Sequence, residues 1–181
     1  MKRLIWAGVA ASAMGTITAA AGILAMGLLL VQPLLAGGLL PGLSPRNARK
    51  WHGWVGAGLV LAVIAHVVGL WITSPPDVID VLLFRSPTPF SEWGVIAMWA
   101  VFAAALLALF RRRLRLKPAT WRLCHLTIVT VISVCTVVHA LLIEGTMETI
   151  SKIALSVLVI AALGKVVLDL KPWRTFLRHK T

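Results

Sequence analysis

Acidic residues are scarce in this chain. Six Asp and Glu stand against eighteen Lys and Arg, for a formal net charge of +12 in 181 residues. Charged residues of both signs make up only 13%, while 59% is hydrophobic and the mean hydropathy is +0.91. Such a composition excludes an ordinary soluble globular domain. A basic excess can signal nucleic-acid binding, but here the cations flank apolar runs, which is how membrane topology is encoded. Nucleic acid is therefore not an expected partner. A Gly-rich phosphate loop is missing too, and with it any nucleotide-binding fold. Cysteine is nearly absent: Cys124 and Cys135 lie in one predicted helix, about 16 Å apart along its axis, too far to pair. There is no Cys-x-x-Cys-His, the signature of covalent c-type haem attachment. The cysteines say little about compartment.

What the chain does have is long apolar runs. Five are long enough to cross a bilayer: about Leu4–Val31, His52–Thr73, Ser91–Phe110, Trp121–Ile143 and Ser151–Leu170. The predicted fold is an all-α polytopic membrane bundle, a single transmembrane domain over residues 1–181. The first run follows Lys2-Arg3 and contains Ala19-Ala20-Ala21, as a signal peptide would. It continues well past that point, so a retained helix is expected. Ala11, Gly15 and Ala19 form a ridge of small residues that would let another helix approach. Gln32-Pro33, Gly37-Gly38 and Pro41 break the pattern, and Arg46, Arg49 and Lys50 end the resulting loop. Ser74-Pro75-Pro76 stops the second run and opens an acidic loop with Asp77 and Asp80. Ser91 is the expected N-cap of the third, with Glu92 in its first turn. Trp51, Trp54, Trp71, Trp93 and Trp121 sit near run ends, as interfacial residues do.

Five spans place alternate loops on opposite sides. One side collects thirteen Lys and Arg, the other only Lys2, Arg3, Arg85 and Lys152 together with five of the six acids. The positive-inside rule puts the basic loops and the C-terminus in the cytoplasm and the N-terminus outside. Lys2 and Arg3 run against that assignment. The expected location is a bacterial inner membrane.

Histidine carries the chemistry. His52 and His66 are fourteen residues apart in the second run, and so are His125 and His139 in the fourth. Fourteen residues are nearly four turns, so each pair shares a helix face, separated by about 21 Å of axis. With the two helices side by side and running the same way, His52 faces His125 near the inner surface and His66 faces His139 near the outer one. A lone intramembrane histidine reads as a neutral, hydrogen-bonded packing residue. Four at identical spacing and matching depth read as two sites. Two imidazoles per site suit iron in a porphyrin plane, saturating it for electron transfer. Structural zinc needs four converging ligands, which this spacing prevents. The expected cofactors are two b-type haems: His52 and His125 on the inner iron, His66 and His139 on the outer. Arg46, Arg49, Lys50 and Arg122 are placed to hold propionates of the inner haem. Gly56, Ala62 and Gly69 would leave room for a flat ring. Trp99 or Phe102 is a candidate to lie between the haems. His179, in the basic tail, reads as solvated.

Trp51-His52-Gly53-Trp54-Val55-Gly56 with His66, and Trp121-Arg122-Leu123-Cys124-His125 with His139, resemble the ferric reductase-like transmembrane domain family. That family includes ferric-chelate reductases and the membrane part of NADPH oxidases. The shared pattern is His, then Gly four residues on, then the second His, with a basic residue before the first His of the later helix. It spans about residues 10–165. The resemblance implies two b haems between the two helices and electrons moving outward from the cytoplasmic side. Many relatives continue into an FAD- and NADPH-binding domain, and this chain reaches Thr181 without one. The expectation is the membrane haem subunit of an oxidoreductase, fed by a separate flavin reductase or by quinol. Its acceptor would be ferric iron, oxygen or a periplasmic redox protein. A quinol-oxidising small cytochrome b is the nearest rival, but those usually carry a histidine in the first span, and Leu4–Val31 has none. A non-redox accessory protein with structural histidines is the other.

Overall fold

Five helices long and apolar enough to cross a membrane lie side by side in the computed structural model, which describes residues 2–170 and the side chains of residues 13–169. The elements are α1 (Lys2–Ala36), α2 (Pro45–Thr73), α3 (Pro75–Leu82), α4 (Ser91–Leu109), α5 (Arg111–Leu114), α6 (Pro118–Leu142) and α7 (Thr149–Leu170). Among the described residues there is no strand. All-α polytopic architecture is thus what the apolar runs dictate, because only a helix satisfies its own backbone inside lipid. Lys2, Arg3 and Ala11 have undescribed side chains, and Lys171, Arg174, Arg178, His179 and Lys180 lie outside the described residues.

Helix ends depart from the sequence reading in instructive ways. Pro33 does not stop α1, which runs on to Ala36; one proline removes one N–H, and the last turn tolerates that. The end comes at Gly38, whose φ of +64° allows a Schellman closure: Leu39 N–H donates to Leu34 O at 2.9 Å and Gly38 N–H to Leu35 O at 3.3 Å. Helix α2 begins seven residues ahead of His52. The Ser44 hydroxyl accepts from Asn47 N–H and Pro45 takes the first position, so Arg46, Arg49 and Lys50 are helical rather than loop. Past Ser74 the acidic stretch is not loop either. Pro75-Pro76 starts the short helix α3, since proline that ends one helix can open the next. Phe90, not Ser91, occupies the N-cap of α4; the Ser91 hydroxyl instead meets Ser86 and Thr88.

The bundle is built from two antiparallel hairpins, α1 against α2 and α4 against α6, with α7 packed on α1 and α6. Helices α2 and α6 are not among the closely packed pairs. They face each other across the middle of the bundle. Met26, Leu29, Leu59, Val101, Ile132, Val137 and Val159 form the buried core, drawn from all five long helices. Leu59 stands seven residues from both His52 and His66, and Ile132 seven from both His125 and His139. The core is therefore an apolar layer between two histidine layers. Gly15 of the expected small-residue ridge meets nothing; a Cβ there would find open space. Trp51, Trp54, Trp71 and Trp93 point outward, as an interfacial belt requires, and so does Trp99, which is 57% exposed and cannot lie between the two layers.

Candidate functional site

Each histidine-bearing helix packs on a partner that offers carbonyl oxygens. On α2, His52 Nδ1 hydrogen-bonds the Gln32 carbonyl oxygen at 3.3 Å and His66 Nδ1 that of Thr18 at 2.9 Å. On α6, His139 Nδ1 reaches the Phe90 carbonyl oxygen at 2.7 Å. A carbonyl oxygen only accepts, so in these three rings the hydrogen belongs on Nδ1. A neutral ring then keeps its lone pair on Nε2, the tautomer a ligating imidazole needs, with a carbonyl behind it fixing its orientation.

The partners follow a register. His52 and His66 differ by fourteen positions, and so do Gln32 and Thr18, because α1 runs antiparallel to α2. Carried onto the α4–α6 hairpin, the pairing of His139 with Phe90 assigns Ala104 to His125. There the match stops short: His125 Nδ1 is buried and has no hydrogen-bond partner. Its ring is held by stacking instead, 5.0 Å from the Trp121 ring and nearly parallel to it, while the Arg111 guanidinium lies 4.3 Å from that indole.

Glycine makes the close approach possible at the other layer. Gly22 lies one turn beyond Thr18, and Gly94 one turn beyond Phe90. A Cβ on Gly94 would come within 2.7 Å of His139 Cε1, and one on Gly22 within 3.1 Å of His66 Nδ1. The glycines expected to admit a flat ring do something else. Gly56 faces the Gln32 amide nitrogen and Gly69 the Thr18 hydroxyl, so both make room for α1.

The two layers differ in shape. His52 and His125 have ring centroids 6.3 Å apart, at 73° to each other. Two imidazoles sharing one ion at about 2.0 Å per bond would have centroids roughly 6 Å apart. His66 and His139 both line a cavity of about 550 Å³, whose apolar wall includes Met26, Leu29, Leu59, Val101 and Ile132. That volume is in the range of organic-cofactor sites. Polar groups gather in the same lining: Asp77 and Asp80 of α3, Ser86, Thr88, and Lys152 of α7. Among the described residues no group of three or more His, Cys, Asp or Glu is placed to hold a metal ion. Both cysteines are unpaired, as their spacing requires.

At the His66–His139 layer the residues fit a flat, metal-centred group: two rings with fixed tautomers, two glycine cradles and a cofactor-sized cavity. At the other layer, the His52–His125 separation is what an ion between two imidazoles would require. Arg46, Arg49, Lys50 and Arg122 are exposed at the His52–His125 end. Sequence reasoning missed the carbonyl partners, Gly22, Gly94 and Arg111. Only the distance from Thr18 to Gln32, equal to that between the α2 histidines, could have signalled the first.

The sequence profile of a family described as "ferric reductase like transmembrane component" matches residues 8–141. No curated protein and no solved structure matches the chain.

Proposed function

The chain belongs to the family of ferric reductase like transmembrane components, and from that premise we propose that it moves electrons across the bilayer through two b-type haems. His52 and His125 hold one, His66 and His139 the other, within a single transmembrane domain over residues 1–181. Bis-imidazole haem iron exchanges single electrons with no open position for oxygen. The observation that carries the reading is the matched pair of histidine layers, three of whose four rings present Nε2 by donating Nδ1–H to a carbonyl.

The protein's own groups do the positioning. Carbonyl oxygens of Gln32, Thr18 and Phe90 orient the rings, and Gly22 and Gly94 let two of them sit against neighbouring backbone. Leu59 and Ile132, both buried core residues, lie between the two sites. Arg46, Arg49, Lys50 and Arg122 receive propionates at the basic end. That end faces the cytoplasm of a bacterial cell, where a separate flavin reductase using FAD and NADPH, or membrane quinol, supplies electrons. The acceptor on the opposite face is ferric iron, oxygen or a periplasmic redox protein.

The test is a dithionite-reduced minus oxidised spectrum of detergent-purified protein, with extracted haem counted per chain. We expect b-type bands and two haems. His52→Ala and His125→Ala should each remove one and the same haem, and His66→Ala and His139→Ala the other. Folded protein without haem, from cells supplied with haem, overturns the proposal. Loss of the same haem from His52→Ala and His66→Ala overturns the pairing.

A further inference from the structure

Lys152 is the fourth residue of α7 and only 8% exposed. A buried ammonium is costly unless an anion compensates it. Its Nζ donates to the Ile143 carbonyl oxygen, which occupies one of its three hydrogens. No carboxylate completes the set: among the described residues the one ion pair is Lys165–Asp169, farther along α7. Glu148, the acid nearest in sequence, already accepts from the Ile150 and Ser151 amides and the Ser151 hydroxyl. Asp77 and Asp80 share the cavity lining with Lys152, yet neither pairs with it.

The cavity that Lys152 lines is the one His66 and His139 enter. The basic residues expected to hold propionates all belong to the His52–His125 end, and Arg85 is exposed and outside the cavity lining. A cation buried beside an apolar, cofactor-sized cavity calls for a ligand that is largely apolar and carries a negative group. We infer that Lys152 receives a carboxylate of the group held between His66 and His139. This rests on the haem reading above, in which that group carries two propionates. Such a pair is a charge-assisted hydrogen bond, roughly twice as strong as a neutral one.

The experiment uses holoprotein in detergent with Lys152→Met, Lys152→Gln and Lys152→Arg. Haem is counted per chain, its transfer to excess apomyoglobin is timed, each haem is titrated for potential, and the propionate bending band is read by resonance Raman. In the Met and Gln variants, the haem that His66→Ala removes should leave about tenfold faster, the loss expected for one charge-assisted hydrogen bond. It should also titrate at a lower potential, because a removed cation no longer favours the reduced form, and its propionate band should move. The other haem should be unchanged, and the Arg variant should stay near wild type. If Lys152→Gln matches wild type in exchange, potential and band, the inference fails while the haem reading stands. It also fails if Gln and Arg behave alike. If Lys152→Met does not fold, the Gln and Arg variants decide. Wild-type protein without haem would instead sink the reading beneath it.

Discussion

The residues with most to test are two glycines and a tryptophan. At Gly94 an added methyl would meet three atoms of the His139 ring between 2.7 and 3.3 Å, and that ring is tied to Phe90. Alanine ordinarily gains about 0.5–1 kcal/mol over glycine within a helix, but overpacking costs about 1–3 kcal/mol. The second effect wins here, because the hydrogen-bonded ring has no free direction to move. Gly94→Ala should lower stability by about 1–2 kcal/mol in a detergent melt and alter the spectrum of one haem alone. Gly22→Ala, whose nearest ring atom is 3.1 Å away, should do the same more weakly. Equal stability for Gly94→Ala and wild type would show that His139 is not held as described. Trp121→Leu removes the stack on His125, the ring without a hydrogen-bond partner. It should cost about 0.5–1.5 kcal/mol of aromatic contact and perturb only the haem assigned to His52 and His125; a change at the other haem would refute that. The four histidines were legible because identical spacing on two apolar runs is improbable by chance. Their carbonyl partners were not, since those depend on how α1 and α4 slide against α2 and α6. Gly22 and Gly94 were hidden for a related reason: a glycine in an apolar helix looks the same whether it faces lipid, a helix or a ring.

Helix α7 offers a test of a whole element. It opens on Glu148, whose carboxylate accepts from the Ile150 and Ser151 amides and the Ser151 hydroxyl, satisfying donors that a helix start leaves over. Those bonds, the Ile150 amide's first, hold the Glu148 pKa below its ordinary value. A depressed carboxylate stabilises the fold above its unfolded pKa, about 4.3, and loses that contribution as pH falls through the lower folded value. Exchange protection of the Ile150 and Ser151 amides should therefore persist through the ordinary carboxylate range and decline only as pH falls through the lower folded value. In Glu148→Ala protection should be low at every pH; unchanged protection there would exclude the cap. The cap sits directly before Lys152, so the same turn that starts α7 sets that ammonium against the cavity. Long spans such as α4 and α6 could be read from apolar length alone. Helix α3 could not, because Pro75-Pro76 signals a stop and eight residues with two acids carry no membrane signal. The first turns of α2 were obscured in the same way: Arg46, Arg49 and Lys50 look like loop until Ser44-Pro45 is taken as a cap.

For the molecule as a whole, the open quantity is direction. The histidine layers are related by the two hairpins, so nothing in the packing says which layer faces the cytoplasm; charge must decide. Arg111, Arg112, Arg113, Arg115, Lys117 and Arg122 lie beside the His52–His125 layer, and Asp77, Asp80, Glu92, Glu144 and Glu148 at the other end. Translocating that many cations is unfavourable, and acids count for little in the same balance, so the basic end should remain inside. Cysteine labelling can settle the matter, since Cys124 and Cys135 are both unpaired and replaceable by serine or alanine. On that background, Arg113→Cys marks the basic end and Glu144→Cys the acidic end, both exposed positions. In intact spheroplasts a membrane-impermeant maleimide should label Glu144→Cys and spare Arg113→Cys until the membrane is opened. The reverse pattern would turn the molecule over, place the Lys152 cavity on the cytoplasmic side and make electron flow from that side enter at His66 and His139. Labelling as expected would leave the donor to be sought at the arginine-rich face and the acceptor at the cavity mouth where Asp77, Asp80 and Lys152 gather.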